Sequence, residues 1–92
     1  MTDSQFEWHR RKNKTSVAKH KVGFEEARTV FGDPRAITIF DKQHSNQEER
    51  YKTLGISAKG RLLVVIHIER ENVIRIISAR KATKNEIRQY EE

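Results

Sequence analysis

The chain has 92 residues, 35% of them apolar and 35% charged, which is the make-up of one domain with one modest core. A chain of this length buries roughly 60–65% of its unfolded surface, which excludes a second domain or a deep multi-cofactor cavity. Nineteen Lys and Arg against thirteen Asp and Glu leave a net charge of +6, while cysteine is absent. The charge points to a polyanionic partner, nucleic acid or an acidic protein; the missing thiols exclude disulfides, thiolate zinc sites and cysteine nucleophiles and fit a reducing cytoplasm.

The opening Met1-Thr2-Asp3-Ser4-Gln5 lacks the apolar segment of a signal peptide and is expected to be disordered. No apolar run exceeds residues 62–66, far short of the roughly 20 needed to span a bilayer, so a cytoplasmic domain without membrane contact is expected. Phe6-Glu7-Trp8 alternates as a short edge strand with Phe6 and Trp8 on one face. Residues 12–20 read as a helix of mediocre propensity whose thin apolar stripe is Val17 and Ala18. A second helix follows Gly23 as N-cap, with Glu25 and Glu26 at the positive end of its dipole. Phe24, Ala27, Val30 and Phe31 give it one apolar face, and Gly32-Asp33-Pro34 stops it.

Strand-like segments come next, at residues 36–40, 50–57, 61–69 and 73–80. The third is nearly all apolar and rich in Val and Ile, which predicts a central position. Arg70-Glu71-Asn72 makes the last turn, with Asn72 suited to a left-handed conformation. Thr83-Lys84-Asn85-Glu86 matches a capping box and opens a terminal helix whose Ile87 and Tyr90 share a face. The predicted order is β-α-α-β-β-β-β-α over residues 1–92 as a single domain. It is an α+β fold in which a twisted antiparallel sheet packs two N-terminal helices and a C-terminal helix on one face.

Two stretches are free of acidic residues. One, between Trp8 and Phe24, carries Arg10, Arg11, Lys12, Lys19, His20 and Lys21; the other, between Val73 and Asn85, carries Arg75, Arg80 and Lys81. If both flank one face of the sheet they form a funnel for the phosphates of a polyanion; otherwise they are an ordinary solvated surface. Arg75 interrupts an apolar strand, where a guanidinium is comfortable only on an open face, and a planar bidentate donor there suits a phosphate. His67 and Glu69 project from one face of the best strand and form a candidate acid–base pair, although a lone strand histidine also serves to close the edge of a core. His9 and His44 read as surface residues. The histidines lack metal-ligand spacing and the glycines are too dispersed for a phosphate loop, so no metal or cofactor is expected. Arg75 and Arg80 have opposite parity in a regular strand: either a bulge near Ser78-Ala79 brings them to one face, or Arg80 is structural, bound to a carboxylate.

Phe6-Glu7-Trp8, Arg11-Lys12-Asn13, Phe24-Glu25-Glu26-Ala27, Val30-Phe31-Gly32-Asp33-Pro34, Glu49-Arg50-Tyr51, Gly60-Arg61-Leu62-Leu63-Val64-Val65 and the run from Arg75-Ile76-Ile77-Ser78 to Ala82-Thr83 resemble the BrnT toxin family, in order and at family spacing. The resemblance implies a RelE-like ribonuclease toxin of a type II toxin–antitoxin pair. It also implies inhibition by a BrnA-like antitoxin with a ribbon-helix-helix domain, in a heterotetramer that represses its own operon and touches operator DNA only through the antitoxin. His9-Arg10 stands where many relatives have Asp-Pro, and Lys21 and the Glu71-Asn72 turn stand where glycine is usual. The expected function is metal-independent RNA cleavage that arrests translation and growth, with Arg75, His67, Glu69 and Arg80 catalytic. The alternative is a non-catalytic basic module that binds RNA or antitoxin as a co-repressor subunit.

Overall fold

The computed structural model describes residues 5–92, except for the side chain of His44. Its elements are β1 (Gln5–Glu7), α1 (Arg10–His20), α2 (Phe24–Thr29) running into a 3-10 turn (Val30–Gly32), β2 (Ile37–Phe40), β3 (Tyr51–Ile56), β4 (Leu62–Arg70), β5 (Val73–Lys81) and α3 (Lys84–Glu91). The predicted order therefore holds. Disorder over residues 1–5 falls mostly outside the described residues, and Gln5 opens β1.

The five strands form one sheet in the order β1-β5-β4-β3-β2, with apolar β4 at its centre. The sheet is mixed rather than antiparallel, because β1 runs parallel to β5. The intervening chain, with all three other strands and both N-terminal helices, supplies the long crossover that a parallel pair requires. Helices also cover both faces, not one. Val22, Phe24, Ala27 and Val30 pack on Leu63, Val65, Ile76 and Ala79, while Tyr90 of α3 packs on Leu54 and Val64 behind them. Leu63 and Val64 are both fully buried, and a strand apolar on successive residues needs a cover on each side.

α1 begins at Arg10, two residues before the predicted start, although its N-cap His9 makes no side-chain capping bond. Val17 and Ala18 are exposed rather than packed; the helix docks through buried Ser16. The Ser16 hydroxyl donates to the carbonyls of Val22 (2.6 Å) and Ala79 (3.1 Å), so α1 lies along β5 by satisfying its backbone. Asn13 Oδ1 accepts from the Phe24 amide at 2.8 Å and caps α2, which its own N-cap Gly23 cannot do. Lys21 closes α1 in the left-handed region (φ 60), with its amide bonded to the Val17 carbonyl. In the β4–β5 turn Glu71 (φ 52), not Asn72, takes that conformation. Both positions are those at which the family resemblance leads one to expect glycine.

Asp33 ties the layers together. Its carboxylate accepts from the amides of Arg35 (2.9 Å) and Ile56 (2.8 Å) and from the Tyr90 hydroxyl (2.6 Å). The Ile56 amide, then the Tyr90 hydroxyl, hold its carboxyl below the usual range. Gly55 beside it admits no side chain, since a Cβ would lie 2.9 Å from Val30 Cγ1 and 3.0 Å from Ala36 Cβ. Thermal melts of two variants should therefore move in opposite directions. Gly55→Ala overpacks this contact and is expected to lose about 2 kcal/mol, lowering Tm by roughly 10 °C. Lys21→Gly removes the left-handed strain and is expected to gain about 0.5–1 kcal/mol.

Candidate nucleic-acid interface

The β4–β5 ladder contains one irregularity, and it decides which side chains meet. Ile66 pairs with Ser78 but His67 pairs with Ile76, so Ile77 is an extra residue on β5. Residues directly opposite in an antiparallel pair share a face. Arg75, Ser78 and Arg80 stand opposite Ile68, Ile66 and Val64, which alternate by two along β4, and so all three project to the α3 side. The presence of Ile76 and Ala79, three apart, in one core cluster shows the same shift from the other face.

The sequence-derived candidates separate accordingly. His67 and Glu69 pair with Ile76 and Ile74 and lie on the opposite face from Arg75. His67 is fully buried, edge-on to Phe31 (4.9 Å between ring centres) and stacked on Tyr51 (6.0 Å). Its Nε2 shares a hydrogen bond with Thr53 Oγ1 at 2.7 Å, and Thr53 in turn bonds Thr38 Oγ1 at 2.7 Å. Nδ1 is 3.5 Å from Glu69 Oε2, without hydrogen-bond geometry, and is buried without a hydrogen-bond partner among the described residues. Burial pushes the imidazole pKa from 6.5 down to about 4, so the ring is neutral at pH 7 and forms no ion pair with Glu69. An enclosed ring cannot reach a substrate; His67 is a core residue and its partnership with Glu69 is not an acid–base site.

Arg80 is committed to the fold. Its two amino groups donate to the two Glu86 oxygens at 2.8 and 2.9 Å, a bidentate pair. Glu86 also accepts from the Thr83 amide (2.8 Å) to complete the predicted capping box, and Lys52 Nζ lies 3.7 Å away. Arg80 above all, with Thr83 adding, draws the Glu86 pKa down to about 2. Lys52, opposite Ile66 and so on the Arg75 face, is a cation that sequence reasoning missed. Its alternation within residues 50–57 was the available signal, since Leu54 and Ile56 carry the same parity.

Arg75 remains open. Its side chain keeps 44% of its surface exposed, and Nε donates to Glu7 Oε2 at 2.7 Å across the parallel β1–β5 pair. Among the described residues no other guanidinium nitrogen of Arg75 has an acceptor. Arg75 and Glu7 line two concavities: one of about 290 Å³ with Glu48, Ile68, Arg70, Glu71 and Val73, and one of about 230 Å³ with Trp8 and His9. Further along β5, Ser78 and the bulged Ile77 line a groove of about 290 Å³ with Arg11, Lys12, Thr15, Ser16, Lys19 and His20 of α1. The two acid-free stretches thus meet along β5. Arg10 stands outside that groove, Lys21 closes α1 with its carbonyl taken by Arg61 (2.9 Å), and Lys81 pairs with Leu63 and projects to the face opposite Arg75.

A family profile described as the ribonuclease toxin BrnT of type II toxin–antitoxin systems matches residues 8–86. The chain belongs to the BrnT family. The crystal structure of the Brucella abortus ribonuclease toxin BrnT superposes with a TM-score of 0.68 at 21% identity, over 90% of this chain and 100% of that one; a likeness at this identity is one of fold. No curated protein sequence matches significantly. Among the described residues of this BrnT chain no three His, Asp or Glu side chains gather as a metal-binding group, and no helix is long and apolar enough to cross a membrane.

Of the four groups held below their ordinary pKa, Glu26, Asp33, His67 and Glu86, the last two move furthest and dominate the acid stability. His67 binds its proton in the unfolded chain near pH 6.5 but in the native state only near pH 4, so stability falls as pH drops through that window, by about 3 kcal/mol in total. Glu86 is protonated more readily when unfolded, so its contribution is present above about pH 4.5 and is lost as pH falls towards 2. Urea titrations from pH 7 to pH 3 should show both losses. His67→Gln, which keeps an amide for Thr53 but does not titrate, should flatten the curve between pH 6.5 and 4.5 and leave the lower limb.

Proposed function

We propose that this BrnT chain is a cytoplasmic endoribonuclease toxin that cleaves RNA without a metal ion and so arrests translation and growth. The observation that carries this reading is the common face that the Ile77 bulge gives to Arg75 and Ser78, beside the cationic groove of α1. RNA supplies its own nucleophile in the 2′-hydroxyl. The protein then has to hold the phosphate, stabilise the negative charge of the pentacoordinate state, and move two protons. Arg75 provides fixed positive charge on a rigid strand, the service a metal ion would otherwise perform. Arg11, Lys12, Lys19 and His20 guide the neighbouring backbone phosphates, with a salt dependence that grows with each contact.

An antitoxin of the BrnA type, with a ribbon-helix-helix domain, fits as the partner. Acidic side chains laid over Arg75 and the α1 groove would neutralise the toxin by occupying the RNA path. A heterotetramer that represses its own operon would reach DNA through the antitoxin alone.

Incubation of the purified chain with total RNA in EDTA tests the reading. Discrete cleavage products are expected, and Arg75→Ala should reduce the rate by about 10²–10³-fold. Its melting temperature should move little, because an exposed ion pair contributes no more than about 1 kcal/mol. RNA that is retarded on a gel but stays intact would instead establish the non-catalytic binding module.

A further inference from the structure

The cleavage reaction needs a proton acceptor and a proton donor, and the enclosure of His67 removes the pair that the strand pattern suggested. The chain has four histidines. His67 is buried, His20 lies at the far end of α1 from Arg75, and the His44 side chain is outside the described residues. His9 is exposed and shares the 230 Å³ concavity with Glu7, Trp8 and Arg75.

The backbone explains why the ring is free. His9 occupies the N-cap of α1 in an extended conformation (φ −80, ψ 131), and its carbonyl accepts from the Asn13 amide at 3.0 Å. N-cap side chains usually fold back to accept from the first-turn amides, but this one makes no such bond. The two residues before it are fixed. Trp8 packs edge-on against Phe24 (6.0 Å between ring centres), and Glu7 is clamped to Arg75 by the β1–β5 pairing. An exposed imidazole with no capping bond, a positioned carboxylate and an arginine with unused donors therefore open into one small space.

Resting on the ribonuclease reading above, we propose that Glu7 is the general base and His9 the general acid of this cleavage, on either side of a phosphodiester held by Arg75. Glu7 takes the proton of the 2′-hydroxyl as the 2′-oxygen bonds to phosphorus. The bond from phosphorus to the 5′-oxygen breaks, and that oxygen leaves with the proton of the His9 imidazolium. The products are a 2′,3′-cyclic phosphate and a 5′-hydroxyl end, with no oxidant, reductant or co-reactant consumed. The carboxylate then returns its proton to solvent and the imidazole regains one. Imidazole is the side chain whose ordinary titration lies near neutrality, which suits proton donation to an alkoxide leaving group.

A pair of dinucleotide substrates separates the two roles, one with the natural bridging 5′-oxygen and one with sulfur in its place. A thiolate leaves without being protonated. His9→Ala should lose about 10²-fold or more on the oxygen substrate and cleave the sulfur substrate at close to the wild-type rate. Glu7→Gln, which keeps an acceptor oxygen for Arg75 Nε, should lose activity on both. His9→Asn guards against a merely structural role: asparagine is a better N-cap, so this variant should melt at or above the wild-type temperature and still be inactive on the oxygen substrate. Wild-type rates for His9→Ala on the oxygen substrate, or a loss that sulfur does not repair, would overturn the assignment while leaving the ribonuclease reading intact. A wild-type chain that cleaves neither substrate would remove both.

Discussion

Side chains along a strand alternate with a period of two, so residues five apart look in opposite directions unless the ladder skips a position. β5 skips at Ile77, and which of its side chains share a face depends on that single unpaired residue. Without it Arg75 would share the face of Ala79 and enter the core beneath α2, where an unpaired guanidinium could not stay. With it, Ile76 and Ala79 both bury while Arg75, Ser78 and Arg80 emerge together on the other side. The bulge also marks where the edge changes hands. Up to Arg75 the outer edge of β5 is paired by β1, and beyond Ile77 the carbonyl of Ala79 is satisfied by Ser16 of α1. Bulges of this kind re-aim side chains beside sites, and here one also prevents an open β-edge.

Much of the architecture was legible in the residues, because it rests on local chemistry. The capping box at Thr83–Glu86, the stop at Gly32-Asp33-Pro34 and the central place of the Val/Ile-rich strand all follow from interactions between near neighbours or from a single strand's apolarity. The parallel pairing of β1 was not legible. Three residues carry no signal of strand direction, and their partner lies 68 positions away. The side of the sheet taken by α3 was missed for a similar reason. Ile87 suggested a broad apolar face, yet it remains exposed, and contact comes through Tyr90, whose hydroxyl reaches Asp33. The bulge was left open as one of two ways to reconcile Arg75 with Arg80, and the other way holds as well: Arg80 shares the face of Arg75 and is bound to Glu86.

The candidate site was harder to read because burial, not residue type, separates its histidines. His67 and His9 are chemically the same side chain. One sits on the strongest strand in the chain, and that strength is what encloses it between Phe31, Tyr51 and Thr53. The other follows a short edge strand and resembles a surface residue in sequence, and its weak structural duties are what leave it available. The acidic groups divide in a similar way. Glu26 is held by Arg61 and then Ser57, Asp33 by backbone amides and Tyr90, and Glu86 by Arg80; each is drawn below its usual range and welded to a distant part of the chain. Glu7 keeps 48% of its side chain exposed and, among the described residues, forms its ion pair with Arg75 alone.

The same division explains why the open site lies where it does. α3 has eight residues and is about 12 Å long, whereas β5 with nine residues extends about 30 Å. The helix runs from Glu86, beside Arg80 and Lys52, to Tyr90 and Glu91, beside Ile56, Gly60 and Leu62, so it covers the end of the sheet that carries Arg80 and leads away from Ile68 and Arg75. Glu86 lies in its first turn and consumes Arg80 at the boundary. The covered half thus uses its arginine to hold the helix in place, and the uncovered half presents its arginine to solvent beside the cationic flank of α1. The direction of α3 therefore keeps that face open, as much as the residues that line it.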